Sequence, residues 1–256
     1  MEGMNLNEAA ALIIVYSNTQ KPGFELMYFN AQKQLLGTTK VALDVNQIAN
    51  GLPLQTIDFN ALLKPSIPPQ IKSVKILLDS DEIFKSTSAY PKLNMFKLSA
   101  LYGQELKTLL QEGKEKIKVE TQKYKDNLGT IFYTYCTPQK LNNFAIKLAR
   151  SLNLKLEAVE LYAKHLQKSI KKAISGDYIY LYRHEDQITL VVSYGGILSG
   201  YSTFGGEEVV DGEIYAYGIK HFYELEKIKL DKAYTNMEGI KCNVIELEEL
   251  DIKMEY

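Results

Sequence analysis

The sequence predicts an α/β protein, mixed α+β in detail, of two halves that each carry a mixed sheet with flanking helices. Three observations point there. Leu12–Val41 and Tyr178–Thr203 each read as consecutive strand-like runs joined by short turns, one β-meander in each half. Helix-spaced apolar residues follow, most clearly Leu141, Phe144, Ala145, Leu148 and Ala149. The 256 residues, 46% of them apolar, suffice for one large core or two modest ones.

Along the chain, Ala10–Tyr16 is an unbroken apolar run, a buried strand. Ser17–Gly23 is a turn, Phe24–Phe29 the partner strand, Asn30–Gln34 a second turn and Leu35–Val41 the third strand. Asn46–Leu63 predicts one or two short helices, and Pro65, Pro68 and Pro69 mark a linker before the strand Ser73–Leu78. Asp79–Ser88 reads as a loop with a strand near Ile83–Ser86. Ser99–Lys116 reads as a helix whose buried face is Leu101, Tyr102, Leu106, Leu109 and Leu110. Strands follow at Val119–Tyr124 and Thr130–Cys136. Thr137-Pro138 is a helix start, with Thr137 as the cap and Pro138 the first helical residue. That helix extends over Leu141–Leu152, followed by a strand at Leu154–Val159 and a helix from about Leu161 to Ile174. In the second meander, Tyr178–Tyr182 and Ile188–Val192 are joined by the charged link Arg183-His184-Glu185-Asp186, and Gly195-Gly196 turns the chain into Ile197–Thr203. Glu207–Lys227 reads as helical, Lys232–Asn236 and Asn243–Leu247 as short strands. The boundary between halves falls between Leu161 and Asp177.

Net charge is −1, less basic than a nucleic-acid binder usually needs. Lys140–Lys172 is rich in lysine and Glu207–Glu255 in acids, so faces of opposite sign point to protein partners. Two cysteines, Cys136 and Cys242, sit far apart in apolar runs and read as buried free thiols. With three histidines and no zinc spacing, a metal site is not expected. No apolar run approaches a membrane span, and the start lacks a basic segment, so a cytoplasmic location is expected. The 18 tyrosines include Tyr133 and Tyr135, expected on one face of a strand, and the cluster Tyr215, Tyr217, Phe222 and Tyr223. Tyrosine is favoured at protein interfaces, and equally serves a core edge.

The order of elements resembles the actin-like ATPase superfamily, with its ribonuclease H-like fold. Within it the chain is most similar to the PilM proteins of type IV pilus machines and the cytoplasmic domain of GspL in type II secretion. The resemblance rests on Ser73–Leu78, a helix of the Ala100–Glu112 type, Ile131–Pro138 leading into Leu141–Leu152, and Leu154–Leu161. It rests also on the turn Phe204-Gly205-Gly206-Glu207-Glu208 after a three-strand meander. It implies a first half over 1–170, with a small inserted subdomain near 70–125, and a reduced second half over 171–256.

The same resemblance implies where a nucleotide would bind, and three loops depart from it. A motif of the Asp-Ile-Gly type is replaced by Val15-Tyr16-Ser17-Asn18-Thr19. The second phosphate loop falls on Tyr182-Arg183-His184-Glu185-Asp186, bulky and acidic where glycine N–H groups should crowd an anion. The Gly-Gly expected near adenosine is Asn236-Met237-Glu238-Gly239. No catalytic, cofactor-binding or metal-ligating residue is assigned, and no cofactor. His184, Glu185 and Asp186 read as a solvated turn, and Gly205-Gly206 as a tight helix entry with Glu207 and Glu208 in the first turn.

The expected function is a non-enzymatic scaffold of a pilus or secretion assembly platform. Its partners would be the assembly ATPase and inner-membrane proteins, not nucleic acid, and it would meet the membrane only through partners. The alternatives are a nucleotide-binding ATPase or sugar-kinase relative, and an adaptor in another machine. The candidate surfaces are Lys140–Lys172 and Glu207–Glu226.

Overall fold

The computed structural model describes residues 9–17, 22–54, 56–111, 116–173, 176–184, 187–205, 243–246 and 256. The elements in order are β1 (Ala10–Tyr16), β2 (Gly23–Phe29), β3 (Leu35–Ala42), β4 (Ile48–Ala49), β5 (Leu52–Pro53), α1 (Phe59–Leu63), β6 (Ser73–Asp79) and β7 (Phe84–Pro91). Then come α2 (Met95–Gln111), β8 (Ile117–Lys125), β9 (Gly129–Pro138), α3 (Gln139–Ser151), β10 (Lys155–Leu161) and α4 (Tyr162–Ala173). The last are β11 (Tyr178–His184), β12 (Gln187–Tyr194), β13 (Ile197–Gly205) and β14 (Asn243–Glu246). The expected helix at Glu207–Lys227 and strand at Lys232–Asn236 lie outside the described residues. The chain divides into two units: Met1–Phe84, Thr137–Leu166 and Lys253–Tyr256 form unit 1, and Lys85–Cys136 with Gln167–Ile252 form unit 2.

Unit 1 is built on a sheet of order β10-β6-β1-β2-β3. The meander β1-β2-β3 is antiparallel, while β6 and β10 run parallel to β1 and to each other. This is the ribonuclease H-like order. It explains why Ala10–Tyr16 is apolar without alternation: β1 lies between two strands, and all but its last residue are buried. Edge strand β3 alternates exposed and half-buried residues. Helix α3 buries Leu141, Phe144, Ala145, Leu148 and Ala149, the stripe read from its spacing.

The start of α3 differs from expectation. Pro138, with extended ψ of 138°, is the cap residue, and no side chain caps the helix. Thr137 belongs to β9, which runs directly into the helix, so its hydroxyl is not placed as a cap. At the other end Asn153 adopts φ 55°, a left-handed position that asparagine tolerates.

Unit 2 contains a second meander in a sheet of order β13-β12-β11-β14, with β14 parallel to β11. Its order repeats β3-β2-β1-β6 of unit 1. Gly195 and Gly196, at φ 61° and 72°, close the β12–β13 hairpin in the doubly left-handed turn that matches strand twist. A Cβ at Gly195 would lie 2.2 Å from the ring of Tyr124. Arg183 and His184, read as part of a link, instead continue β11 and pair with Ile188 and Gln187.

A three-stranded sheet of order β7-β9-β8 completes unit 2, and β9 is buried along its whole length. Strand β7 runs past Ser86 to Pro91, longer than the sequence suggests. Helix α2 begins at Met95, earlier than expected, and its packing is partly polar. Ser88 and Tyr90 both donate to the Glu105 carboxylate. Tyr102 stacks on Phe132 at 4.1 Å and places its hydroxyl 2.7 Å from the hydroxyls of Thr121 and Thr134. Tyr133 and Tyr135 share one face of β9 and are core residues, 6.1 Å apart between ring centres.

Burial pushes several phenols above their ordinary value of 10, Tyr178 to about 12 and Tyr28 and Tyr133 in the same direction. Below pH 10 they are neutral folded or unfolded. Above it the unfolded chain ionises them first, so stability is lost as pH rises from 10 through about 12 for Tyr178. An absorbance titration of tyrosinate should therefore show a late group that ionises together with loss of circular dichroism. Smooth ionisation near pH 10 with the fold intact would contradict this burial.

Candidate functional site

Ligands of open α/β sheets bind beyond the carboxyl ends of the strands. In unit 1 that rim is formed by Tyr16, the last residue of β1, and Ser17, by Asp79, the last of β6, and Ser80, and by Tyr162 after β10. Ser17 donates its backbone N–H to the Asp79 carbonyl at 2.8 Å, tying the two strand ends together. The Tyr16 ring meets the Tyr162 ring edge-on at 5.7 Å, and its hydroxyl donates to Glu25 at 3.0 Å. A phenol thus stands within the stretch where the family resemblance calls for an Asp-Ile-Gly motif, and the Glu25 carboxylate accepts its hydroxyl. The Ser17 hydroxyl is buried without a hydrogen-bond partner. Ser80 donates to the Gly51 carbonyl at 3.1 Å, so it caps a turn.

The other two loops are reached only in part. Tyr182, Arg183 and His184 belong to β11, whereas Glu185, Asp186 and Asn236–Gly239 lie outside the described residues. Gly205 ends β13, and Gly206, Glu207 and Glu208 lie outside. Among the described residues no three His, Cys, Asp or Glu side chains are grouped to hold a metal ion. Cys136 is buried and burial pushes its thiol pKa up, the opposite of an activated nucleophile. Cys242 is outside the described residues. No described helix is long and apolar enough to cross a membrane.

The lysines of Lys140–Lys172 divide between the units. Lys140 pairs with Glu82 at 2.8 Å. Lys147 and Lys155 are exposed on α3 and β10. On α4, Lys164, Lys168 and Lys171 follow each other at helical spacing; Lys168, Lys171 and the neighbouring Lys172 are exposed, and Lys164 is half-buried. Lys171 also donates to the Gly196 carbonyl at 3.1 Å. The second expected surface, Glu207–Glu226 with Tyr215, Tyr217 and Tyr223, lies outside the described residues.

A surface missed by the sequence reading is the outer face of α2. Phe96 is 87% exposed and Met95 75% exposed. Leu101 and Leu110, expected to be buried, are exposed as well. The inner face is set by Leu98 together with Tyr102 and Glu105, and hydrophobic spacing alone gives no weight to the carboxylate. Phe96, Ala100 and Gly103 therefore share one outward side at intervals of four and three, with Leu110 a further seven residues on. Phe96, with Met95 beside it, is the large exposed apolar feature of this side, and an exposed phenyl ring is a candidate contact for another protein.

No family model matches the chain, and no curated protein matches it. Solved structures do. The chain is similar to the PilM–PilN type IV pilus biogenesis complex, at 8% identity, over 87% of this chain and 68% of that one, with a TM-score of 0.55. It is also similar to the cytoplasmic domain of EpsL, an inner membrane component of the type II secretion system of Vibrio cholerae. That match has 10% identity, covers 94% of this chain and 82% of that one, and has a TM-score of 0.51. The likeness is one of fold. It agrees with the sheet orders described above and defines a mixed α/β protein of the actin-like, ribonuclease H-like class.

Proposed function

We propose that this protein is a non-enzymatic scaffold of a type IV pilus or type II secretion assembly platform, working at the cytoplasmic face of the inner membrane. It binds the assembly ATPase, the tails of membrane proteins, or both. The observation that carries this reading is the fold shared with PilM and with the EpsL cytoplasmic domain over most of the chain. The exposed apolar side of α2 and the lysine row of α4 supply surfaces for such contacts. In this reading 1–170 is the first ribonuclease H-like half, with an inserted subdomain near 70–125, and 171–256 is a reduced second half.

A second reading, a nucleotide-binding ATPase or sugar-kinase relative, draws on the buried, unpartnered Ser17 hydroxyl at the end of β1. Against it stands the Tyr16–Tyr162 pair on the same rim. Calorimetric titration with Mg2+-ATP separates the two. No saturable heat is expected. A dissociation constant of about 10 μM or tighter, roughly −7 kcal/mol, favours the enzyme. Affinity capture from native cells at modest salt tests the scaffold directly, and should recover an assembly ATPase or an inner-membrane platform protein. Recovery of neither, with tight ATP binding, overturns the proposal.

A further inference from the structure

One side of the unit 1 sheet carries an aromatic side chain from far along the sequence. The Tyr256 hydroxyl donates to Glu157 Oε2 at 2.7 Å. Its ring lies under the Lys75 ammonium, 4.8 Å from the centroid, and against Phe29 at 5.7 Å. Buried Ser73, two residues before Lys75 on β6, lies beside the same phenol. These partners come from three strands, β2, β6 and β10, and the register explains why they converge. Ala10 of β1 pairs with Phe29 on one side and Ser73 on the other, so the residue between them is small. Lys75 is the one residue of β6 that is not buried.

Glu157 reaches the phenol because the sheet is irregular there. Leu156 pairs with Val74 and Ala158 with Lys75, leaving Glu157 as the extra residue of a β-bulge. A bulge re-aims the side chain it carries, and bulges gather at sites. Each polar part of a tyrosine then has a counterpart. A carboxylate accepts its hydroxyl, an ammonium covers its ring face, and a second aromatic ring packs against it at a tilt of 49°.

We infer that Phe29, Ser73, Lys75 and Glu157 form a binding socket specific for a phenol side chain, filled in this chain by its own Tyr256. Filling it holds Tyr256 against the sheet of unit 1. Emptying it exposes a site for a tyrosyl group.

The test uses the full chain and 4-methylphenol as probe, read from amide NMR signals of Lys75 and Ala158. Tyr256→Ala should show saturable shifts at concentrations where the wild type shows none. In the Tyr256→Ala background, Glu157→Gln should weaken the probe roughly tenfold, as should replacing the probe by toluene, which lacks the hydroxyl. Tyr256→Phe keeps the ring in place and guards against misfolding of the alanine variant. The probe should displace it at lower concentration than it displaces the native tyrosine. Equal response of wild type and Tyr256→Ala, or of 4-methylphenol and toluene, overturns the socket. A concentration-dependent dimer that Tyr256→Ala dissolves would assign the occupant to a second copy and overturn the intramolecular latch.

Discussion

Ile13→Ala should lower the unfolding free energy of unit 1 by about 3–4 kcal/mol, within the range for buried aliphatic truncations. Ile13 is fully buried at the middle of β1, paired with Leu26 on one side and Ile76 on the other. Both flanking strands are fixed by their own ladders, so the surroundings cannot collapse into the space left behind. The change forfeits packing as well as transfer energy. Leu36→Ala, on exposed edge strand β3, should cost under about 0.5 kcal/mol. Urea denaturation of the two variants is the measurement, with an unchanged slope confirming that stability alone has moved. A cost below about 1 kcal/mol for Ile13→Ala would mean that β1 does not occupy the centre of the sheet.

The same packing explains which parts of the fold were legible in the residues. Strands β1 and β6 announce themselves because both are interior strands of the sheet and are covered on both faces, leaving only Tyr16 and Lys75 less than buried. Helix α3 does so because its buried residues are all apolar and fall at helical spacing. The two meanders follow from their turn residues, Gly195-Gly196 above all. Helix α2 was legible as a helix, with Tyr102 on the expected inner face but Leu101 and Leu110 turned out of it. Its inner face is anchored by Glu105 to Ser88 and Tyr90, and a polar anchor contributes nothing to an apolar periodicity. The end of α3 nearest β9 was misread because Thr-Pro has two meanings. It can cap a helix or end a strand, and the extended backbone of Pro138 chose the second.

The rim of β1 was legible only as a departure. Val15-Tyr16-Ser17 shows that an aspartate and a glycine are missing, but not what replaces them. The replacement depends on Tyr162, 146 positions away by numbering, and on Glu25 across the hairpin. The phenol socket was illegible for the same reason, because the bulge at Glu157 changes which way a side chain is aimed without changing composition. In each case the missing information is long-range pairing.

Phe96→Ser should leave thermal stability unchanged and weaken binding to the platform partner by about 2 kcal/mol, roughly thirtyfold. The side chain is almost wholly exposed, so its removal opens no cavity. Whatever it contributes must come from burial against another molecule, where a phenyl ring is among the largest single anchors. Lys164→Glu with Lys168→Glu should behave differently. Charges at a rim steer encounter more than they hold a complex, so this double variant should slow association and flatten its salt dependence while changing dissociation little. Surface-based kinetics with the captured partner, at low and high salt, distinguish the two effects. If Phe96→Ser binds as the wild type does while the lysine variant loses all binding at both salts, the anchor lies on α4 and not on α2. If both bind as the wild type does, neither helix carries the working surface.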